Sequence, residues 1–227
     1  MTAGAAHAGP RSGLGAADAP AGVVFDLDGT LVDSWALHLR CLRRSLHAVG
    51  LPEPSAARLA AAQRPTDTQT LAALVPPDLL DEAALGYDRE LRRLLAEEPT
   101  DRLAMPGARE AVAALRAAGL VLGICTGRSR AHARALLDAV GVPVGLTVAR
   151  EDAAHPKPAA DGLLLALRRL GLARGRALYI GDSPADSRQG AAAGVTTLLL
   201  RPGDGPPADG TLRSLHDLPA LLRKAGP

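Results

Sequence analysis

The stretch Val23-Val24-Phe25-Asp26-Leu27-Asp28-Gly29-Thr30-Leu31-Val32-Asp33-Ser34 runs from an apolar segment into two carboxylates one residue apart. In extended backbone, residues i and i+2 share a side. Asp26 and Asp28 are therefore expected to face one point while Leu27 turns into packing. Gly29-Thr30 follows as a turn whose backbone can approach a ligand closely. The outline is a metal or phosphate site at the mouth of a buried strand.

Working outward, residues 22–27 read as that strand, short and rich in Val, Phe and Leu. Residues 35–49, 55–62, 66–74 and 79–97 carry helical periodicity, with breaks at Pro52, Pro54, Pro76 and Pro77 and no strand pattern between them. From Met105-Pro106-Gly107 onward, helices over 108–118, 130–140, 159–170, 185–193 and 215–224 alternate with strands over 120–125, 144–148, 177–180 and 195–200. Alternation of this kind predicts an α/β fold with a doubly wound, Rossmann-like parallel sheet. The expected organisation is a tail over 1–21, a core from 22–33 and 105–227, and an all-helical cap domain over 34–104. In such sheets ligands bind at the carboxyl ends of the strands.

Composition narrows the function classes. The chain has 227 residues, 47% of them hydrophobic, and a mean hydropathy of +0.07. Apolar runs such as 163–167 fall far short of the roughly 20 residues that span a bilayer, so no membrane partner is expected. A net charge of +2 without a basic block, and only four aromatic residues, argue against nucleic acid. Cys41 and Cys125 lack disulfide-scaffold or metal-ligand spacing, which fits a reducing cytoplasm. Residues 1–21 have neither a basic n-region nor a continuous apolar segment, so they read as a mobile tail and not as a secretory leader. The 26 basic residues include only two lysines, Lys157 and Lys224.

Further polar clusters fall at or near strand ends. The 120–125 strand runs into Thr126-Gly127-Arg128-Ser129, a hydroxyl followed by the amides of a helix N-terminus, which suit an anion. The 177–180 strand runs into Gly181-Asp182-Ser183-Pro184-Ala185-Asp186, and Lys157 lies between Pro156 and Pro158. Singly these are a helix cap, a helix-start charge and a surface lysine. Together they map to one edge of one sheet and form a chemically complete set. Carboxylates suit a hard Mg²⁺ ion, and a lysine, a hydroxyl and amides can neutralise a phosphoryl group while a carboxylate attacks it.

The order Asp26-Leu27-Asp28-Gly29-Thr30, Thr126, Lys157, Gly181-Asp182-Ser183 with Asp186, and then Gly190-Ala191-Ala192-Ala193-Gly194, resembles the haloacid dehalogenase (HAD) superfamily. Within it the chain is similar to the phosphoglycolate phosphatase and β-phosphoglucomutase-like branch with a helical cap. The resemblance implies that Asp26 is a nucleophile forming an aspartyl-phosphate and that Asp28 is the acid and base. It makes Thr126 and Lys157 ligands of the phosphoryl oxygens. Mg²⁺ is implied between Asp26, the Asp28 carbonyl and Asp182, with Asp186 supporting the metal waters or orienting Lys157. Thr30, Gly127 and Ser183 are implied as supporting residues.

Asp28 speaks against carbon–halogen cleavage, which needs no proton donor there. Residues 34–104 contain no lysine for a Schiff base, which excludes phosphonoacetaldehyde hydrolysis. Cys125 is no phosphatase nucleophile, because the Cys-x5-Arg register places Ala131 where the arginine belongs, and no Gly-rich nucleotide loop occurs.

Gln63-Arg64-Pro65-Thr66 resembles the family's cap loop, with Gln63 where a glycine is usual. Arg64 is the candidate for binding a carboxylate or second phosphate, ahead of His38, Arg40 and His47, and His155 is expected at the surface. The expected substrate is a small phosphorylated metabolite, taken by a monomer or homodimer. A β-phosphoglucomutase-like isomerase and a non-catalytic binding protein are the alternatives.

Overall fold

A computed structural model of the chain describes residues 19–97, 99–203 and 210–224. Residues 1–18 of the expected tail lie outside them. The strands are β1 (Gly22–Phe25), β2 (Val121–Cys125), β3 (Leu146–Val148), β4 (Ala177–Gly181), β5 (Thr196–Leu200) and β6 (Thr211–Leu212). They form one sheet in the order β3-β2-β1-β4-β5-β6, parallel throughout.

β1 lies between β2 and β4 because it has no polar side chain to leave in water, and all of it is buried. Its alternation feeds two cores. Val23 and Phe25 pack on one face with Leu122, Ile124, Leu178 and Ile180, whereas Val24 packs on the other with Cys125, Val148 and Tyr179. The first face is covered by apolar residues of α5 (Ala108–Ala117), α6 (Arg130–Val140) and α9 (Leu218–Lys224), and the second by α7 (Asp161–Leu170) and α8 (Pro184–Ala193). The strand order reverses between β1 and β4, and the crevice at their carboxyl ends is the expected ligand position.

Between β1 and β2 the chain forms α1 (Trp35–Ala48), α2 (Ala56–Ala62), α3 (Asp67–Ala72) and α4 (Leu80–Glu97), with no strand among the described residues from 35 to 97. α2 and α3 start at residues whose side chains cap them. Ser55 accepts from the Arg58 amide and Thr66 from the Gln69 amide. α1 and α4 pack along each other through Leu42, Leu46, Tyr87, Leu91 and Leu94. The two connections of this helical insert run side by side, since the Asp33 amide donates to Leu103 at 2.7 Å and the Met105 amide to Leu31 at 3.0 Å.

The expected elements form within a few residues of their sequence bounds, with four differences. Ala21 is already tied into the sheet edge, donating to Arg176 at 2.8 Å and accepting from Val121 at 3.1 Å, so the tail ends before it. β1 stops at Phe25, although the Asp26 amide still donates to Ile180 at 2.7 Å. β6 is two residues long, too short to show a period in sequence. The last helix is preceded by a separate 3₁₀ turn, Leu215–Asp217.

Candidate active site

Asp26, the first residue past β1, meets Lys157 at the carboxyl edge of the sheet, with Lys157 Nζ 2.6 Å from its Oδ1. The same ammonium donates to Asp186 Oδ1 at 2.7 Å. Both partners of Lys157 are buried, and the lysine itself is 9% exposed. Burial pulls the lysine toward its neutral form, but the Asp26 and Asp186 charges hold its pKa well above the ordinary value. One of the chain's two lysines thus has a buried role: the Lys157 ammonium is the cation of a buried carboxylate pair.

Asp186 is saturated. Its Oδ1 also accepts from the Tyr179 hydroxyl at 2.7 Å, and its Oδ2 accepts from Ser183 Oγ at 2.6 Å and the Ser183 amide at 3.0 Å. Burial opposes its ionisation, yet Lys157 and these donors bring its pKa down to about 2. Ser183 in turn accepts from the Asp186 amide, closing a reciprocal cap on α8. Asp186 therefore acts on Lys157 and α8.

Asp26 and Asp182 are in the opposite condition. Burial pushes the Asp26 carboxyl well up, with Asp186 and Asp182 adding repulsion and Lys157 opposing. Burial, and then repulsion from Asp186, raises Asp182 to about 6. One carboxylate oxygen from each of Asp26, Asp182 and Asp186 lies within 4.8 Å of the others. Gly29, at φ +71°, gives Asp182 its room, because a Cβ there would fall 2.2 Å from Asp182 Oδ2. A close set of hard oxygen donors, three carboxylates sharing one ammonium, fits Mg²⁺. With Asp186 fully bonded, Asp26 and Asp182 are the side chains with ligand capacity to spare.

Asp28 does not share Lys157. It accepts a forked pair from Arg128, Nε to Oδ2 at 2.9 Å and Nη2 to Oδ1 at 2.8 Å, and a short hydrogen bond from Ser34. Burial disfavours the charge, but the guanidinium and Ser34 hold the carboxyl below its usual range. Arg128 Nη1 also donates to Tyr87 Oη at 2.6 Å on α4, and Tyr87 Oη lies 2.6 Å from His38 Nδ1 on α1. Sequence reasoning placed Arg128 in an anion-binding turn and missed this pairing. Nothing in a one-dimensional pattern links positions 28, 128 and 87.

The remaining expected residues divide. Gly127 lies where the insert lands on the core, since a Cβ there would sit 1.9 Å from the Pro65 carbonyl oxygen. Thr126 is buried, its hydroxyl accepting from the Arg128 amide at 3.2 Å, and it borders a small side cavity together with Lys157. Thr30 is buried with no hydrogen-bond partner for its hydroxyl among the described residues. Cys125 is the inert strand residue expected, its thiol pushed up to about 12 by burial. His155 is exposed beside Asp161. Arg64 lines the cavity, with its guanidinium on the Ala61 and Gln63 carbonyls at 2.8 Å each.

A cavity of about 620 Å³ joins these parts, lined by Asp26, Asp28, Lys157 and Asp182 from the core and by Trp35, His38, Gln63, Arg64 and Pro65 from the insert. Asp67, on α3, fastens the insert beside it, accepting from His132 Nδ1 and Arg150 Nη1 at 2.9 Å each.

Comparison with known proteins points to one family. A family model described as haloacid dehalogenase-like hydrolase matches residues 20–194. The phosphoglycolate phosphatase of Rhodospirillum rubrum is 34% identical over 194 residues, covering 81% of this chain and 80% of its own. That of Escherichia coli is 31% identical over 235 residues, covering 88% and 92%. Among solved structures, CbbY from Rhodobacter sphaeroides in complex with phosphate superposes with a TM-score of 0.76 at 24% identity, covering 90% of this chain and 99% of that one.

Proposed function

The chain belongs to the haloacid dehalogenase-like hydrolases and is a phosphatase of that family, and from this premise we propose that it hydrolyses a small phosphomonoester through an aspartyl-phosphate on Asp26. The observation that carries the reading is the buried triad Asp26–Lys157–Asp186 beside Asp182 at the strand reversal. The substrate class is phosphoglycolate-like or sugar-phosphate-like. Residues 34–104 serve as the cap, residues 22–33 and 105–227 as the catalytic core, and the setting is the cytoplasm, in keeping with two free cysteines.

Lys157 takes the phosphoryl group's negative charge and lets a dianion approach the Asp26 carboxylate, while the Thr126 hydroxyl and the Gly127 amide receive its remaining oxygens. As the incoming anion draws the Arg128 guanidinium away, Asp28 takes up a proton from solvent; Asp26 then attacks phosphorus, the bond from phosphorus to the ester oxygen breaks, and Asp28 gives that proton to the ester oxygen. Asp28, again a carboxylate, then takes a proton from water as the water oxygen attacks phosphorus. The Asp26–phosphorus bond breaks, and inorganic phosphate leaves. Arg128 and Ser34 hold Asp28 in the proton-accepting form needed for this second half. For the first half, the incoming anion competes with Asp28 for the guanidinium.

Asp26, the Asp28 carbonyl and Asp182 would hold Mg²⁺, which supplies charge neutralisation for the phosphoryl group when bound. Replacing Asp26 with Asn is expected to abolish Mg²⁺-dependent release of phosphate, a loss of at least about a thousandfold for a missing nucleophile. Circular dichroism checks that the fold persists. Turnover equal to that of the native enzyme would rule the mechanism out.

A further inference from the structure

We propose that the phosphomonoester taken by this site carries a ring-sized body that packs on Trp35. The inference rests on the phosphatase reading and names the substrate class within it. Trp35 is the first residue of α1 and lines the same cavity as Asp26 and Lys157. It is 51% exposed, whereas Phe25, Tyr87 and Tyr179, the other aromatic residues of the chain, are buried. An indole left half in water inside a concave site is apolar area that a ligand can cover. Its ring is not freely placed, because the His38 ring lies beside it with centroids 6.0 Å apart.

The size and charge of the cavity agree. At about 620 Å³ it lies within the roughly 300–1,000 Å³ of sites that enclose drug-sized ligands, and a two-carbon phosphate would leave most of it to water. The guanidinium best placed by sequence to grip a compact carboxylate, Arg64, is bonded to backbone carbonyls. Arg188, on α8, also lines the cavity, and among the described residues no hydrogen bond or ion pair engages it. Its reach suits hydroxyl or anionic groups at the far side of a ring.

The test assays the native, Mg²⁺-loaded enzyme and its Trp35→Ala and Trp35→Phe variants on glucose 1-phosphate, p-nitrophenyl phosphate and 2-phosphoglycolate. The native enzyme is expected to favour the ring-bearing esters. Trp35→Ala is expected to lower the ratio of their kcat/KM to that of 2-phosphoglycolate about tenfold, through KM, the scale of one lost stacking contact. Trp35→Phe restores most of the ratio. Because Trp35 is the sole tryptophan, its fluorescence in the Asp26→Asn variant reads binding without turnover, and a saturable change on adding glucose 1-phosphate is expected. A native preference for 2-phosphoglycolate, an unchanged ratio in Trp35→Ala, or fluorescence that does not respond overturns the inference. Saturable fluorescence with no turnover of any phosphomonoester instead overturns the phosphatase reading and supports ring binding.

Discussion

The carboxyl edge of the sheet and the helical insert face each other across one cavity, yet they differ in the side chains they leave to solvent. On the core side, Asp26, Lys157 and Asp186 are buried and bonded to one another, and Asp28 is clasped by a guanidinium fork. On the insert side, His38 and Asp67 are likewise buried and bonded, but Trp35 and Arg64 are exposed. The difference separates two tasks. Charges that must act on a transferring phosphoryl group are fixed before it arrives, which is where electrostatic preorganisation has its effect. The groups proposed to meet the rest of the substrate, Trp35 at the start of α1 and Arg64 in the loop before α3, are outside the buried core. Arg128 of the core is the crossing point that touches a carboxylate of the site, bonding both Asp28 and Tyr87 of α4, while Asp67 of α3 is fastened farther out by His132 and Arg150.

Three substitutions probe that division. The largest effect is expected from Lys157→Met, which leaves Asp26 and Asp186 buried without their cation. Removing one member of a buried charge cluster destabilises by about 3–5 kcal/mol, and losing a preorganised cation lowers turnover by about a hundredfold or more. Urea denaturation and phosphate release measure the two effects. A mild phenotype in both would erase the contrast between the sides.

Next comes Arg128→Ala, at the crossing point. Without its fork, Asp28 is misaligned as acid and base, so hydrolysis of alkyl phosphates is expected to fall by about a hundredfold. p-Nitrophenyl phosphate, whose leaving group needs no proton, is expected to lose much less. Equal losses on both would assign Arg128 to binding alone.

The smallest effect lies in the insert and depends on pH. Burial, and then the Arg128 charge, lowers the His38 pKa to about 4, against about 6.5 in an unfolded chain. Between those values the unfolded state binds the extra proton. The stability contributed by neutral His38 is therefore complete above pH 6.5 and is lost as pH falls toward 4. Lowering pH from 7 to 4.5 is expected to cost about 2 kcal/mol more in the native protein than in His38→Gln, by urea denaturation. Identical pH slopes would show that His38 is not held neutral by its surroundings.

How much of this was legible in the chain follows the same division. Val23-Val24-Phe25 announces a buried central strand, each helix of the insert carries its own period, and α2 and α3 carry their own Ser and Thr caps, because those signals are local. The residues at strand ends could be assembled from order alone, since a parallel sheet brings every carboxyl end to one edge. Pairings across long separations could not. The bond from Arg128 to Asp28 joins positions 100 apart in sequence, and nothing near either residue encodes it. Arg64 shows the converse: its position in the loop was readable, but its guanidinium went to carbonyls three residues and one residue back, a choice set by helix-end chemistry.

The central claim is that Asp26 carries the phosphoryl group. Its most direct test is a single turnover of ³²P-labelled substrate by the Mg²⁺-loaded enzyme, quenched in acid and mapped by peptide. The account requires acid-stable, base-labile label on the peptide containing Asp26, absent in Asp26→Asn. Steady phosphate release with no label on that peptide at any quench time would contradict it.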